Sequence, residues 1–204
     1  FAEYPFSTLS GRVFIDLNRD GQRQPGEPGI PNILMELDGM DRFGRPVTAA
    51  AATDPNGVYE FPNLPPGTFR IRQPIQPPDF FDGGVIVGSL GGVAGFNEVG
   101  QIILPPGPVN TGVDYDFAEQ LKFKITGRVY VDADANDEFT PGEPILAGVQ
   151  MRLVGLDAFG QSIDLLTVTD AQGVFLFENL APAALNSPGY SLIQVVQPSG
   201  FFDA

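Results

Sequence analysis

Along residues 32–38 the apolar side chains of Ile33, Met35 and Leu37 alternate with Leu34 and Glu36. The same two-residue period returns in Tyr59-Glu60-Phe61, and in Val113, Tyr115 and Phe117 set against Asp114 and Asp116. A period of two sends successive side chains to opposite faces of a strand, so these runs predict strands with one face inward and an acidic face outward. Seven strands are predicted in the first half of the chain, near 10–16, 32–38, 47–53, 57–62, 67–75, 98–104 and 110–118. The 25 Gly and 20 Pro gather between these runs as turn punctuation, and no segment sustains a helical period. The count and spacing are those of an immunoglobulin-like β-sandwich.

The pattern then repeats. Ser10-Gly11-Arg12-Val13-Phe14 returns as Thr126-Gly127-Arg128-Val129-Tyr130, an offset of 116 residues that also carries Glu27 to Glu143, Met35 to Met151 and Leu37 to Leu153. Thr53-Asp54-x-x-Gly57-x-Tyr59-x-Phe61-x-Asn63-Leu64 returns as Thr169-Asp170-x-x-Gly173-x-Phe175-x-Phe177-x-Asn179-Leu180. A repeat of this length implies two homologous domains rather than a short-period solenoid. The expected architecture is all-β, two tandem sandwiches: an N-terminal segment over 1–7, a first sandwich over 8–119, a linker over 120–124, and a second, incomplete sandwich over 125–204. Phe1-Ala2-Glu3 matches Phe117-Ala118-Glu119, so the chain is expected to open on the tail of a strand or on a donor strand. Gly200-Phe201-Phe202-Asp203 matches Asp79-Phe80-Phe81-Asp82, and no counterpart of 83–118 follows. Three explanations stay open for the missing strands: a covalent array, an unseen tail, or a strand given by a neighbouring subunit. Without an initiating Met or a signal peptide, the chain is expected to begin inside a longer precursor or after processing.

Each copy carries a twelve-residue oxygen-rich loop. The first offers Asp16, Asn18, Asp20 and Glu27 at loop positions 1, 3, 5 and 12; the second offers Asp132, Asp134, Asn136 and Glu143. That spacing wraps a carboxylate-rich turn around one hard cation, so one Ca²⁺ per domain is expected. Position 7 adds a backbone carbonyl (Gln22, Glu138), and position 9 contributes directly or through water (Gln24, Thr140). Gly21 fills the sharp-turn position in the first loop, whereas the second has Asp137 there. An Asp/Asn/Gly-rich turn is the plainer reading of either loop alone, and two in register favour the cation. The flanking β-like residues and Pro28-Gly29-Ile30-Pro31 exclude an EF-hand, whose loop lies between helices.

Together, G-x-V-[FY]-x-D-x-[DN]-x-[DN], a Glu eleven residues after the first Asp, and T-D-x-x-G-x-[YF]-x-F-x-N-L resemble the SD-repeat B-like domains of bacterial cell-surface adhesins, relatives of the collagen-adhesin B-type fold. The resemblance covers residues 8–118 and most of 124–204. It implies calcium-stabilised sandwiches strung as stalks, with Asp16, Asn18, Asp20, Glu27, Asp132, Asp134, Asn136 and Glu143 as ligands. Some collagen-adhesin relatives join a first-strand Lys to a last-strand Asn or Asp. Residues 1–121 contain no Lys, so the first domain cannot form that bond, and Lys122 and Lys124 read as solvated linker residues.

Charge and composition narrow the function. A formal net charge of −14 argues against nucleic acid and anionic membranes. No apolar run approaches the roughly 20 residues that span a bilayer. The absence of His and Cys removes triad catalysis, His-ligated zinc and disulfides. The remaining carboxylates are committed to cation loops and turns, and the Gly83–Gly95 stretch, without Gly-Lys-Ser/Thr, reads as a mobile connection rather than a phosphate cradle. The expectation is a non-enzymatic, extracellular structural module of a stalk, fibre or filament. Its expected partners are adjacent repeats or copies of itself, and the alternative is an adhesive domain for a host or matrix ligand.

Overall fold

The computed structural model describes residues 5–107, 111–183, 187–196 and 198–201. The N-terminal match Phe1-Ala2-Glu3 and the Phe202-Asp203 pair lie outside them. The chain divides into two compact units, Phe1–Leu121 and Lys122–Ala204. Unit 1 contains β1 (Ser7–Ile15), β2 (Leu34–Asp41), β3 (Pro46–Ala52), β4 (Val58–Leu64), β5 (Gly67–Arg72), β6 (Phe80–Ile86), β7 (Val93–Gly95), β8 (Glu98–Leu104), β9 (Thr111–Gly112) and β10 (Asp116–Leu121). Unit 2 contains β11 (Phe123–Arg128), β12 (Gln150–Leu156), β13 (Ser162–Val168), β14 (Val174–Leu180) and β15 (Tyr190–Gln194). Residues 120–124 do not form a linker: β10 and β11 occupy them, with Lys122 alone between.

In unit 1 one sheet has the order β4-β1-β10-β6, with β9 also along β1, and the other has β3-β2-β5-β8-β7. The alternation in β1 buries Leu9, Gly11 and Val13 and leaves Ser10 and Arg12 at the margin. Leu9, Val13, Tyr59, Phe61 and Phe117 from the first sheet meet Met35, Leu37, Phe69, Ile71, Val99, Ile102 and Leu104 from the second in one core. Each such side chain removed from water contributes about 1.5–3 kcal/mol before entropy is counted. β10 runs parallel to β1 over three residue pairs, Val13 to Phe117, Phe14 to Ala118 and Ile15 to Glu119.

Three local expectations are corrected. Gly83-Gly84 is not a loop but part of β6, paired antiparallel with β10 across a register shift at Ala118/Glu119. A Cβ on Gly83 would sit 3.0 Å from the Ala118 carbonyl oxygen, so glycine there permits close strand approach, and Val93–Gly95 forms a further short strand. The strand expected over 110–118 is interrupted, because Asp114 adopts φ 62° between β9 and β10. Its acidic face is outward only in part: Asp114 is exposed, whereas Asp116 is 1 % exposed and Glu119, further along, is fully buried.

Unit 2 repeats part of this plan, with sheets β11-β14 and β13-β12-β15 around Val149, Met151, Leu153, Phe175, Phe177 and Leu180. β15 pairs with β12 and β11 with β14, whereas in unit 1 β5 is flanked by β2 and β8, and β1 by β4 and β10. The Thr-Asp-x-x-Gly segments are turns in both units: Asp54 accepts the Asn56 and Val58 N–H groups, and Asp170 those of Gln172 and Val174. Asp41 and Asp157 do the same for the Asp-x-Phe-Gly hairpins.

Candidate metal centres

Both twelve-residue loops leave the end of a first strand and close on the same backbone ties. In the first, Ile15 N–H donates to Pro28 O (2.8 Å) and Ile30 N–H to Val13 O (2.9 Å). In the second, Val131 N–H donates to Pro144 O (2.8 Å) and Leu146 N–H to Val129 O (3.0 Å). Matching bridges, Phe14 to Gly29 and Tyr130 to Ile145, complete each neck. Within the necks the backbone turns left-handed at positions 4, 6 and 11: Arg19, Gly21 and Gly26 (φ 63°, 70° and 100°), and Ala135, Asp137 and Gly142 (56°, 62° and 111°). Asp137 thus keeps the turn that Gly21 makes, at a steric cost that an Asp tolerates better than most residues.

These turns aim backbone N–H groups at the carboxylates. Asp16 accepts from Arg19 (2.6 Å), Asp20 (3.3 Å) and Gly21 (2.9 Å). Glu27 accepts from Leu17 (3.1 Å) and Gln24 (2.9 Å), and both Asp16 and Glu27 are buried. In the second loop Asp132 accepts from Asn136 (3.2 Å) and Asp137 (3.0 Å), and Glu143 from Ala133 (2.9 Å) and Thr140 (2.8 Å). The residues at positions 3 and 5 are exchanged between the loops. Asn18 donates to Asp20 (3.0 Å) in the first, and Asn136 to Asp134 (3.1 Å) in the second. Each loop therefore presents three carboxylates and one Asn amide in this set.

The carboxylates of Asp132, Asp134 and Glu143 lie within 4.8 Å of one another, the one such group among the described residues. Burial, then the Glu143 charge, raises the Asp134 pKa, while the Asp137 N–H is the largest cause holding Asp132 below the carboxylate range. In the first loop the Gln22 N–H, with the Gln24 and Asn18 amides, outweighs desolvation and lowers Asp20. The Gln22 N–H reaches Asp20 (2.8 Å) and the Glu138 N–H reaches Asn136 (2.6 Å), so each position-7 backbone is engaged by the residue at position 5. The donors are all oxygens and mostly charged, a set that fits a hard divalent cation.

Residues 7–84 match the family model described as the SdrD B-like domain. That stretch of unit 1 is similar to an SdrD B-like domain. Colossin-A of Dictyostelium discoideum is 26 % identical over 93 % of the chain, which spans 2 % of that protein. Colossin-B of the same organism is 29 % identical over 88 % of the chain and 6 % of its own length. The serine-aspartate repeat-containing protein F of Staphylococcus epidermidis is 24 % identical over 96 % of the chain, which spans 11 % of it. The chain is thus a small fraction of the length of these relatives. Among solved structures, a streptococcal ancillary pilin aligns over 100 % of this chain and 57 % of its own, with 14 % identity and a TM-score of 0.40. A minor pilin of Streptococcus agalactiae aligns over 95 % and 85 %, with 14 % identity and a TM-score of 0.38.

Beside the first loop lie charged contacts that no local motif announces. Arg23 reaches Asp114 (2.9 Å) and Asp116 (3.4 Å). Glu119 accepts the side-chain amides of Gln73 (2.6 Å) and Gln76, and Gln76 accepts from Asn97 (2.9 Å). Burial is the main cause that pushes the Glu119 carboxyl up to about 7.

Proposed function

We propose that the chain is a calcium-stabilised structural module of an extracellular surface stalk, fibre or filament. The doubled loop carries this reading: two segments 116 residues apart share one neck, three left-handed turns and one set of three carboxylates with an Asn. Asp16, Asn18, Asp20 and Glu27 would hold one Ca²⁺, with the Gln22 carbonyl, and Asp132, Asp134, Asn136 and Glu143 the other, with the Glu138 carbonyl. The ion supplies the positive charge that the clustered carboxylates lack. It ties the end of each first strand to the start of the second, the mechanical job of a cross-link. Outside cells such modules fill at roughly 10⁻⁴–10⁻³ M calcium, and a tenfold excess over Kd adds about 1.4 kcal/mol per site to the folded state.

Adjacent repeats or further copies of the chain are the natural partners. An adhesive reading has one observation in its favour: Phe43, 68 % exposed at the β2–β3 hairpin, lies between the Arg42 and Arg45 guanidinium groups at 5.1 and 5.2 Å. Of the repeated aromatics, Phe80 packs against the core of unit 1, which makes it a core contact.

Thermal unfolding in millimolar calcium and in chelator tests the proposal. The melting temperature is expected to fall in chelator, and the fall to shrink in Asp16→Ala. Identical melting curves in both conditions would sink it.

A further inference from the structure

We propose that Arg23 couples ion binding in the first loop to the docking of β10, the last strand of unit 1; the coupling rests on the calcium reading above. Arg23 occupies loop position 8, between residues that the ligand cage holds directly. On one side the Gln22 N–H donates to Asp20, and on the other Gln24 donates its N–H to Glu27 and its amide to Asp20. The path of residues 22–24 is therefore set by where the Asp20 and Glu27 carboxylates sit.

From that path the Arg23 side chain leaves the loop. Its Nη2 meets Asp114 Oδ1 at 2.9 Å, and its Nε lies 3.4 Å from Asp116 Oδ2. The Asp116 side chain is 2 % exposed, and its other oxygen accepts the Arg12 N–H of β1 at 2.8 Å. One buried carboxylate thus has one oxygen on the first strand and the other facing the loop. Asp114 lies at the left-handed turn that leads the chain into β10. A second tie runs from the loop's first residue, Asp16 N–H to Glu119 O at 2.9 Å. β6 holds the other edge of β10 over six residue pairs, but β10 meets β1 over only three, so these ties add to what holds it to the first strand.

Uncompensated carboxylates at 16, 20 and 27 repel, shift 22–24, and draw the guanidinium away from Asp114 and Asp116. Asp116 is then left buried with the Arg12 N–H and the weaker attraction of the Arg12 side chain, without its stronger counter-charge, which is costly. A bound cation reverses each step. By linkage, the docked strand in turn strengthens ion binding by the same factor. The second loop has no such arm. Phe139, at the same position, lies edge-on to Tyr130 (5.4 Å) with the Arg128 guanidinium over its ring (4.2 Å).

Hydrogen–deuterium exchange on the whole chain, in millimolar calcium and in chelator, tests the coupling by comparing segments 16–27 and 116–121 in wild type and Arg23→Gln. Calcium is expected to slow exchange in both segments of the wild type. In Arg23→Gln the loop is still protected once calcium saturates it, at a correspondingly higher calcium concentration, while the calcium-dependent protection of 116–121 drops about ten- to a hundredfold, the range of a charge-assisted hydrogen bond. Asp114→Asn, on an exposed residue, is expected to shift 116–121 in the same direction by less, and serves if Arg23→Gln does not fold. Equal calcium protection of 116–121 in wild type and the variant would overturn the coupling while leaving the calcium site standing. A wild-type loop that calcium does not protect would overturn both.

Discussion

The two loops are nearly superimposable in their chemistry, yet the units around them are tied together differently. In unit 1 the Tyr59 hydroxyl donates to the Tyr115 carbonyl at 2.5 Å, just before β10, and Gly11 leaves the room, since a Cβ there would lie 1.8 Å from the Tyr115 oxygen. Arg23 makes the second tie, to Asp114 and Asp116. The residues 116 positions on are Phe175 and Phe139, with neither a hydroxyl nor a charge. Phe175 packs on Phe177 at 6.2 Å, and Phe139 on Tyr130. Both polar grips on a last strand in unit 1 thus become aromatic packing in unit 2. Local loop geometry can be copied along a chain while its coupling to the rest of the domain is not, because the first needs twelve contiguous residues and the second needs partners 56 and 91 residues away.

That difference can be broken from either side. The largest effect is expected from Asp16→Ala, which removes a buried carboxylate accepting three backbone N–H groups: a loss of about 3 kcal/mol or more in unit 1, read by chemical denaturation in calcium. Asp132→Ala, in a more exposed loop with two such bonds, is expected to cost less. Next comes Glu119, raised from 4.5 to about 7 chiefly by burial. A carboxyl whose folded pKa lies above its unfolded value favours folding most when protonated. Its contribution is full below about pH 4.5 and is lost as pH rises through about 7, a change of about 3 kcal/mol. Glu119→Gln should flatten the stability of unit 1 across that window; an unchanged pH profile would contradict the assignment.

Tyr59→Phe should cost about 1 kcal/mol in unit 1, the net value of one buried hydrogen bond, while Phe175→Tyr brings unit 2 no matching gain. The smallest effect is at the sharp turn. Asp137→Gly should stabilise unit 2 by about 0.5–1 kcal/mol in chelator by relieving a left-handed Asp, and Gly21→Ala should do the reverse in unit 1. Paired melting curves for the two variants measure both.

The loops, the Asp-x-x-Gly turns and most strands of unit 1 were legible because each is written within a short window: ligand spacing, turn residues, or a period of two. β6 was not, because Gly83-Gly84 reads as punctuation while the structure uses it for close packing at a bulge beside Ala118. Asp116 was misplaced for a related reason. Alternation assigns it outward, but its neighbours Arg12 and Arg23 supply the donors that let it be buried, and neither adjoins it in sequence. Glu119 lies beyond the same reasoning, since its amide partners Gln73 and Gln76 come from the chain just after β5. The left-handed turns at Arg19 and Ala135 carried no residue signal at all.

The most direct test is to count the ions. Isothermal titration of calcium into the metal-free chain should give two sites per chain with Kd of roughly 10⁻⁴–10⁻³ M, falling to one in Asp16→Ala. No saturable calcium uptake by the folded wild-type chain would contradict the account at its root.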